Sequence, residues 1–170
     1  MAHILMVIAP EMFRDEEYAA PKEIFEAHGA RVTTVSHRAG LCHGKLGMTA
    51  EATLAVTDAD MADHDAVVFV GGGGAEVFFD DSAAHELATA AARGDLVLGA
   101  ICIAPSILAR AGLLDGVRAT AFPTQRDDLI AYGAAWSDGP VEVDGHIVTA
   151  NGPAAASDFA LAISGLLGLP

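Results

Sequence analysis

The sequence predicts an α/β domain in which a mostly parallel sheet is covered by helices on both faces. Short apolar segments of strand length alternate along the chain with longer amphipathic segments of helix length. This alternation is typical of βαβ units, whose crossover helices cover both faces of a parallel sheet. Apolar residues make up 52% of the 170 residues, which is enough for a sizeable core. We therefore expect one domain over residues 1–170.

The first half of the chain contains three predicted strands and two predicted helices. Strands are predicted over residues 3–8, 32–36 and 66–70, helices over 15–28 and 82–93, and a hairpin or edge strand over 49–56. Asp81 or Ser82 is a favourable N-cap for the second helix, and Gly94 is a typical stop.

The second half of the chain continues the alternation and ends in a hairpin and a helix. Strands are predicted over 96–101 and 118–122, helices over 105–111, 127–132 and 154–167, and a hairpin over 141–143 and 146–150. Asp144-Gly145 is a favourable two-residue turn for that hairpin. Ligands of parallel sheets bind at the carboxyl ends of the strands, so the loops after Ile8, Val70 and Ile101 are the expected site.

Cys102 is the most informative residue for function. The apolar run 96–101 ends at it, and Pro105 opens a helix three residues later. This places the thiol on a sharp strand-to-helix turn, where Ala100 and Ala104 leave the room that a nucleophile elbow needs. We expect the positive end of the helix to lower the pKa of the thiol. The alternative is an inert core residue, as buried cysteines often are.

Glu17 is the predicted acid/base partner of this thiol. It lies four residues before Pro21, on the helical stripe that faces the sheet. A carboxyl group on a buried face keeps its proton more readily than an exposed one, so we expect Glu17 to donate a hydrogen bond to a Cys102 thiolate. The alternative is that Glu17, like the two acidic residues before it, only stabilises the helix dipole.

Four glycines at 71–74 follow a predicted strand. No Gly-Lys-Ser/Thr follows them, as a P-loop requires, and no glycine lies three residues after Gly73, as a dinucleotide fingerprint requires. We therefore predict no nucleotide cofactor. The glycines instead expose backbone N–H groups, which together with the N–H of Ile103 are expected to form an oxyanion hole beside Cys102.

Composition excludes several classes of partner. The net charge of −14 repels phosphate backbones, so we predict no nucleic-acid partner. No run approaches the roughly 20 apolar residues of a membrane span, and two distant cysteines form no disulfide framework, which favours a cytoplasmic location. The seven histidines show no metal-ligand spacing, so no metal is predicted, and Cys42-His43 is expected in a solvated loop.

Five segments together resemble the DJ-1/PfpI superfamily, within the class I glutamine amidotransferase-like fold. They are APEMFRDEEY (9–18), VFVGG (68–72), AICIAP (100–105), AGLL (111–114) and ANGP (150–153). The resemblance implies a flavodoxin-like three-layer sandwich with a cysteine nucleophile elbow, and a homodimer or higher homo-oligomer. It also implies that Cys102 is the nucleophile, Glu17 its protonated partner, and Gly72 and Ile103 the backbone donors.

The sequence departs from this family at two positions. The PfpI proteases carry His directly after the nucleophile, where this chain has Ile103, and the branch that detoxifies 2-oxoaldehydes often has a His where this chain has Phe122. Glu76 matches an acidic residue that, in the proteases, reaches the catalytic His of a neighbouring subunit. Arg14, Glu76 and Phe122 are therefore the candidates for lining the pocket.

Three functions follow from this pattern. The first is a stress-protective enzyme in which Cys102 acts on a small-molecule electrophile, in the manner of glyoxalase III, because addition to an aldehyde needs less proton transfer than amide hydrolysis. The second is an intracellular cysteine peptidase or amidase of PfpI type, completed by His43 or by another subunit. The third is a redox sensor or chaperone without turnover, based on an easily oxidised Cys102.

Overall fold

A computed structural model describes residues 1–170. Its centre is a seven-stranded sheet in the order β11-β12-β8-β7-β1-β3-β6. The strands are β1 (His3–Val7), β3 (Arg31–Ser36), β6 (Leu54–Ala55), β7 (Ala66–Phe69), β8 (Val97–Ile101), β11 (Val141–Asp144) and β12 (Ile147–Ala150). Every neighbouring pair is parallel except the β11–β12 hairpin. The predicted mostly parallel sheet is therefore confirmed.

Helices cover both faces of this sheet, as the sequence predicts. They are α1 (Asp15–Ala27), α2 (Ser82–Arg93), α3 (Pro105–Arg110), α4 (Arg126–Ala131) and α5 (Ala156–Leu166). α1 packs against α5, while α2 packs against α3. The Asp81 carboxylate caps α2 by accepting the N–H of Ala84 at 2.9 Å, and Gly94 ends that helix. No helix is long and apolar enough to cross a membrane.

A second, three-stranded sheet lies beside the first, and the sequence revealed only part of it. It consists of β2 (Glu11–Phe13), β4 (Gly40–Gly44) and β5 (Thr49–Ala52), in the order β2-β4-β5. The segment 49–56, predicted as a hairpin or edge strand, forms two short strands in different sheets. β5 pairs with β4 in the second sheet, while β6 pairs with β3 and becomes the edge strand of the main sheet. β2 has only three residues, and β4 has five with a glycine at each end, so neither shows a clear alternation and neither was predicted.

One predicted strand lies outside the main sheet. Only Arg118–Ala119 of the segment 118–122 forms a strand, β9, and it pairs with β10 (Ala135–Trp136) in a separate two-stranded sheet. The end of this segment instead turns towards the elbow, since the N–H of Phe122 donates to the C=O of Cys102 at 2.8 Å.

The register of the central strands brings three loops to one edge. Val7 of β1 pairs with Phe69 of β7, which pairs with Ala100 of β8. The chain therefore leaves β1, β7 and β8 at the same carboxyl edge, where parallel sheets place their ligands.

Candidate active site

Cys102 lies on the sharp turn between β8 and α3. Its φ of 63° lies in the left-handed region, which residues other than glycine rarely adopt. Its N–H donates to the C=O of Ala150 at 2.9 Å, and its own C=O accepts the N–H of Phe122. The backbone is thus held on both sides of the strained residue. The residue is 8% exposed, so a small part of its surface is open to a substrate.

Glu17 faces Cys102 across Gly71. Glu17 is fully buried on α1, and neither oxygen of its carboxyl has a hydrogen-bond partner. The Cys102 thiol is close enough to affect the pKa of this carboxyl. A Cβ on Gly71 would lie 2.5 Å from Cβ of Cys102 and 2.6 Å from Oε1 of Glu17. Both separations are shorter than atoms tolerate, so only a glycine at this position lets the carboxyl and the thiol meet. The sequence predicted the two functional groups but not this role of Gly71.

The surroundings raise the pKa of both groups. Burial raises the pKa of Glu17 to about 8, so the carboxyl is mostly protonated at neutral pH. Burial, followed by the negative charge of ionised Glu17, raises the pKa of the Cys102 thiol to about 11. The N–H groups of Gly72 and Ile103 favour the thiolate but do not offset the burial.

The expectation that the helix end lowers the pKa of the Cys102 thiol is therefore wrong. α3 has only six residues, and its first residue is Pro105, which lacks an N–H. Such a helix has a small dipole and one fewer N–H group at its positive end. Burial of the thiol beside a second acid outweighs that field. The thiol therefore rests protonated, and Glu17 is the group that titrates first.

Two backbone N–H groups converge on the Cys102 sulfur. They belong to Gly72 and Ile103, the predicted donors, and both favour a negative charge at that point. Gly72 has a φ of 95° and lies directly against the backbone of Met12 and Arg14, so a side chain there would collide with both. The N–H of Arg14 donates to the C=O of Gly71 at 3.0 Å, which ties this segment to the start of α1.

Comparison with known proteins decides the family. A sequence profile of the DJ-1/PfpI family matches residues 2–165. The chain belongs to the DJ-1/PfpI family. An uncharacterised protein of Methanocaldococcus jannaschii is 39% identical over 165 residues, which cover 95% of this chain and 80% of that protein. A deglycase of Pyrococcus abyssi is 32% identical over 149 residues, covering 88% of this chain and 90% of the relative.

Solved structures of the DJ-1/PfpI family show the same fold. The crystal structure of a ThiJ/PfpI domain protein from Brachyspira murdochii superimposes with a TM-score of 0.96 and 34% sequence identity. The match covers 98% of this chain and 96% of that one. The flavodoxin-like sandwich expected from the resemblance is therefore confirmed.

No histidine of this DJ-1/PfpI chain is hydrogen-bonded to Cys102. His43 instead lies 3.0 Å from the carboxylate of Glu11. The expectation of a solvated loop at Cys42-His43 is wrong, because both residues belong to β4, with Cys42 buried and His43 exposed. Alternation of side chains along a strand sends them to opposite faces.

The three pocket candidates occupy different surroundings. Arg14 precedes the first residue of α1, and its guanidinium donates to the Glu16 carboxylate at 2.8 and 3.2 Å, while its positive charge lowers the pKa of Glu17. Glu76 is exposed on the 3-10 helix Gly73–Phe78 and forms no ion pair. Phe122 is half-exposed and bonded through its backbone to the elbow. Their roles in the pocket stay predictions.

Asp15 is a site-forming residue that the sequence analysis missed. Its carboxylate accepts the N–H of Leu46 at 3.0 Å and that of Met48 at 2.9 Å, which docks the β4–β5 turn on the start of α1. These two donors lower the pKa of Asp15 although partial burial opposes them. The sequence offered only an acidic residue in a first helical turn, which the dipole explains equally well.

The largest cleft of the chain lies elsewhere. It encloses about 880 Å³ around the amino ends of β1 and β3, where Met1, Arg31 and His64 are among its lining residues. None of the residues that surround Cys102 lines it. Cys102, which is 8% exposed, lies instead at the carboxyl edge of the sheet.

Proposed function

We propose that the protein converts small 2-oxoaldehydes into 2-hydroxy acids through a covalent bond to Cys102, a reaction of the glyoxalase III type. The observation that carries this proposal is the isolated pair of Cys102 and Glu17. The thiol meets a buried carboxyl group with a pKa of about 8 and two backbone N–H groups, with no imidazole bonded to it.

The first step is addition of sulfur to the aldehyde carbon. The ionised fraction of Glu17 takes the proton of the thiol as the C–S bond forms, because Glu17 ionises at a lower pH than the thiol and is the base beside the sulfur. The C=O π pair becomes an oxyanion, which the N–H groups of Gly72 and Ile103 stabilise. Glu17 passes the same proton to that oxygen, which gives a hemithioacetal and leaves Glu17 ionised for the next step.

The second step moves a hydrogen within the substrate. Glu17 removes the proton from the former aldehyde carbon and returns a proton to the neighbouring carbon, so that an enediol becomes a thioester. Water then cleaves the C–S bond of the thioester, which releases a 2-hydroxy acid and restores the thiol. The sum is one 2-oxoaldehyde plus one water giving one 2-hydroxy acid, and no external oxidant or reductant is consumed.

Amide hydrolysis fits this pair less well. A departing amine must be protonated as it leaves, and His is the usual group for that task. The positions after the nucleophile and before Pro123 hold Ile103 and Phe122, and neither side chain transfers protons. Redox sensing also fits less well, since burial raises the pKa of the Cys102 thiol and a thiol is oxidised more slowly than a thiolate.

The test is release of lactate from methylglyoxal by the purified protein. We expect turnover in the wild type, none in Cys102→Ser, and a strong loss in Glu17→Gln. The wild-type rate is expected to rise with pH through about 8 as Glu17 ionises, whereas any residual Gln-variant rate should lack this step. Equal rates in the wild type and Cys102→Ser would refute the proposal. Homo-oligomeric assembly stays a prediction, which light scattering after size exclusion tests.

A further inference from the structure

We propose that Met12 and Phe122 form apolar walls on two sides of Cys102, and that the site prefers electrophiles with a hydrocarbon substituent beside the reacting carbonyl. For 2-oxoaldehydes, this means aryl and larger alkyl compounds over glyoxal. The preference among 2-oxoaldehydes rests on the proposed function, whereas the apolar walls can be tested without that reaction.

Met12 is held in a strained conformation. Its φ is 61°, and the pairing of β2 with β4 shifts register at this residue, with Glu11 opposite His43 and Phe13 opposite Gly44. Methionine gains nothing from a left-handed backbone, and strain of this kind persists where a site uses it. A bulge in a strand also redirects the side chain at that position.

Met12 is anchored to the oxyanion segment. Its C=O lies directly against Gly72, whose N–H approaches the Cys102 sulfur. The side chain is nevertheless 47% exposed, although neighbouring Phe13 is fully buried. The strain and the exposed apolar surface both cost free energy, and neither contributes to the core. A flexible thioether at such a position suits contact with apolar groups of varied shape.

Phe122 is tied to Cys102 through its backbone. Its N–H donates to the C=O of Cys102 at 2.8 Å, while the residue is 40% exposed. The loop that carries it is fixed again three residues later, where Nε2 of Gln125 donates to the buried Oγ of Ser106 at 2.8 Å. An exposed aromatic ring on a doubly fixed loop is preorganised for contact with a ligand.

The first experiment compares substrates. The kcat/KM ratio for phenylglyoxal over glyoxal is measured in the wild type, Met12→Asn and Phe122→Asn, so that intrinsic aldehyde reactivity cancels between proteins. Asn tolerates the left-handed backbone at position 12 and removes the apolar surface. Covering roughly 40 Å² of ring surface gives about a fivefold preference, so each variant should lower the ratio about fivefold. Leu161→Asn, which changes a 49% exposed leucine of α5, should leave the ratio unchanged.

The second experiment needs no turnover. Alkylation of Cys102 by N-benzyl iodoacetamide and by iodoacetamide is followed by mass spectrometry. The benzyl-to-parent rate ratio should fall about fivefold in both wall variants and stay at the wild-type value in Leu161→Asn. Wall-dependent ratios without methylglyoxal turnover would refute the proposed function and leave the apolar walls standing. The walls would be refuted, and the proposed function left standing, if methylglyoxal is turned over but both ratios are the same in the wild type and the three variants. The two ratios are the benzyl-to-parent alkylation ratio and the phenylglyoxal-to-glyoxal kcat/KM ratio.

Discussion

Replacing Gly71 by alanine should push Cys102 and Glu17 apart and lower both stability and turnover. The added Cβ would lie 2.5 Å from Cβ of Cys102, 2.6 Å from Oε1 of Glu17 and 2.7 Å from the C=O of Ile101. Cβ of Cys102 and the C=O of Ile101 are fixed by the backbone bonds of the elbow, and Oε1 ends the fully buried side chain of Glu17, which has little room to move. Forced overpacking of this kind costs about 1–3 kcal/mol of folding free energy. Displacement of reacting groups by about 1 Å lowers turnover about a hundredfold.

Gly73→Ala is the matched control for this substitution. Gly73 lies two residues further along the same glycine segment, no heavy atom lies within 4 Å of its Cβ position, and its φ is not positive. Its stability should change by about 0.5 kcal/mol or less. Urea unfolding gives the two free energies, and the methylglyoxal assay with Cys102 alkylation reports the site. Equal results for Gly71→Ala and Gly73→Ala in urea unfolding, methylglyoxal turnover and Cys102 alkylation would show that the Glu17 carboxyl and the Cys102 thiol do not approach each other closely across Gly71.

Substitutions at three further positions test the roles of Glu17, Asp15 and His43. Glu17→Gln should become more stable relative to the wild type as pH rises. The pKa of Glu17 is about 8 in the folded protein against an ordinary value of 4.5. The protonated carboxyl therefore favours the folded state of the wild type fully below pH 4.5, and this contribution is lost as pH rises to about 8. Urea unfolding from pH 5 to 8 should show the difference growing by up to about 1.4 kcal/mol per pH unit, and a constant difference contradicts the buried, protonated carboxyl. Asp15→Ala should lower the free energy of unfolding by about 1–3 kcal/mol because the hydrogen bonds to Leu46 and Met48 are lost, and Asp15→Asn should lower it less. Equal thermal stability of the two variants would argue against a stabilising role of these hydrogen bonds. His43→Ala should leave Cys102 alkylation and turnover unchanged, since His43 bonds to an exposed carboxylate, and a pronounced loss in either assay would revive the peptidase function.

Local patterns in the sequence were sufficient for the main elements of the fold. The apolar run before Cys102, with Pro105 three residues later, predicts a strand, a turn and a helix because each signal acts within a few residues. The helical stripe that carries Glu17 likewise follows from spacing alone. The candidate nucleophile Cys102, its candidate partner Glu17 and the glycine turn were therefore predictable before any contact was known.

The electrostatic state of the site required the tertiary structure. A pKa depends on how many neighbours exclude water and on which charges they bring, and these neighbours come from β7, β8 and α1. The sequence suggested a helix field acting on the Cys102 thiol, whereas packing buries that thiol beside Glu17 and raises its pKa. The direction of proton transfer between the two groups follows from that burial.

Close approaches between distant segments also required the structure. Nothing in the sequence separates Gly71 from Gly73, yet a Cβ at Gly71 would meet Cys102 and Glu17, whereas a Cβ at Gly73 would meet no heavy atom within 4 Å. The strained Met12 was equally hidden, because it is set by the register of β2 on β4, a pairing between segments about thirty residues apart. The sequence alone determined the α/β architecture and the elbow cysteine, since those depend on local periodicity. Tertiary packing decided the direction of the pKa shifts of Glu17 and Cys102 and the left-handed backbone of Met12, since those depend on which distant atoms meet.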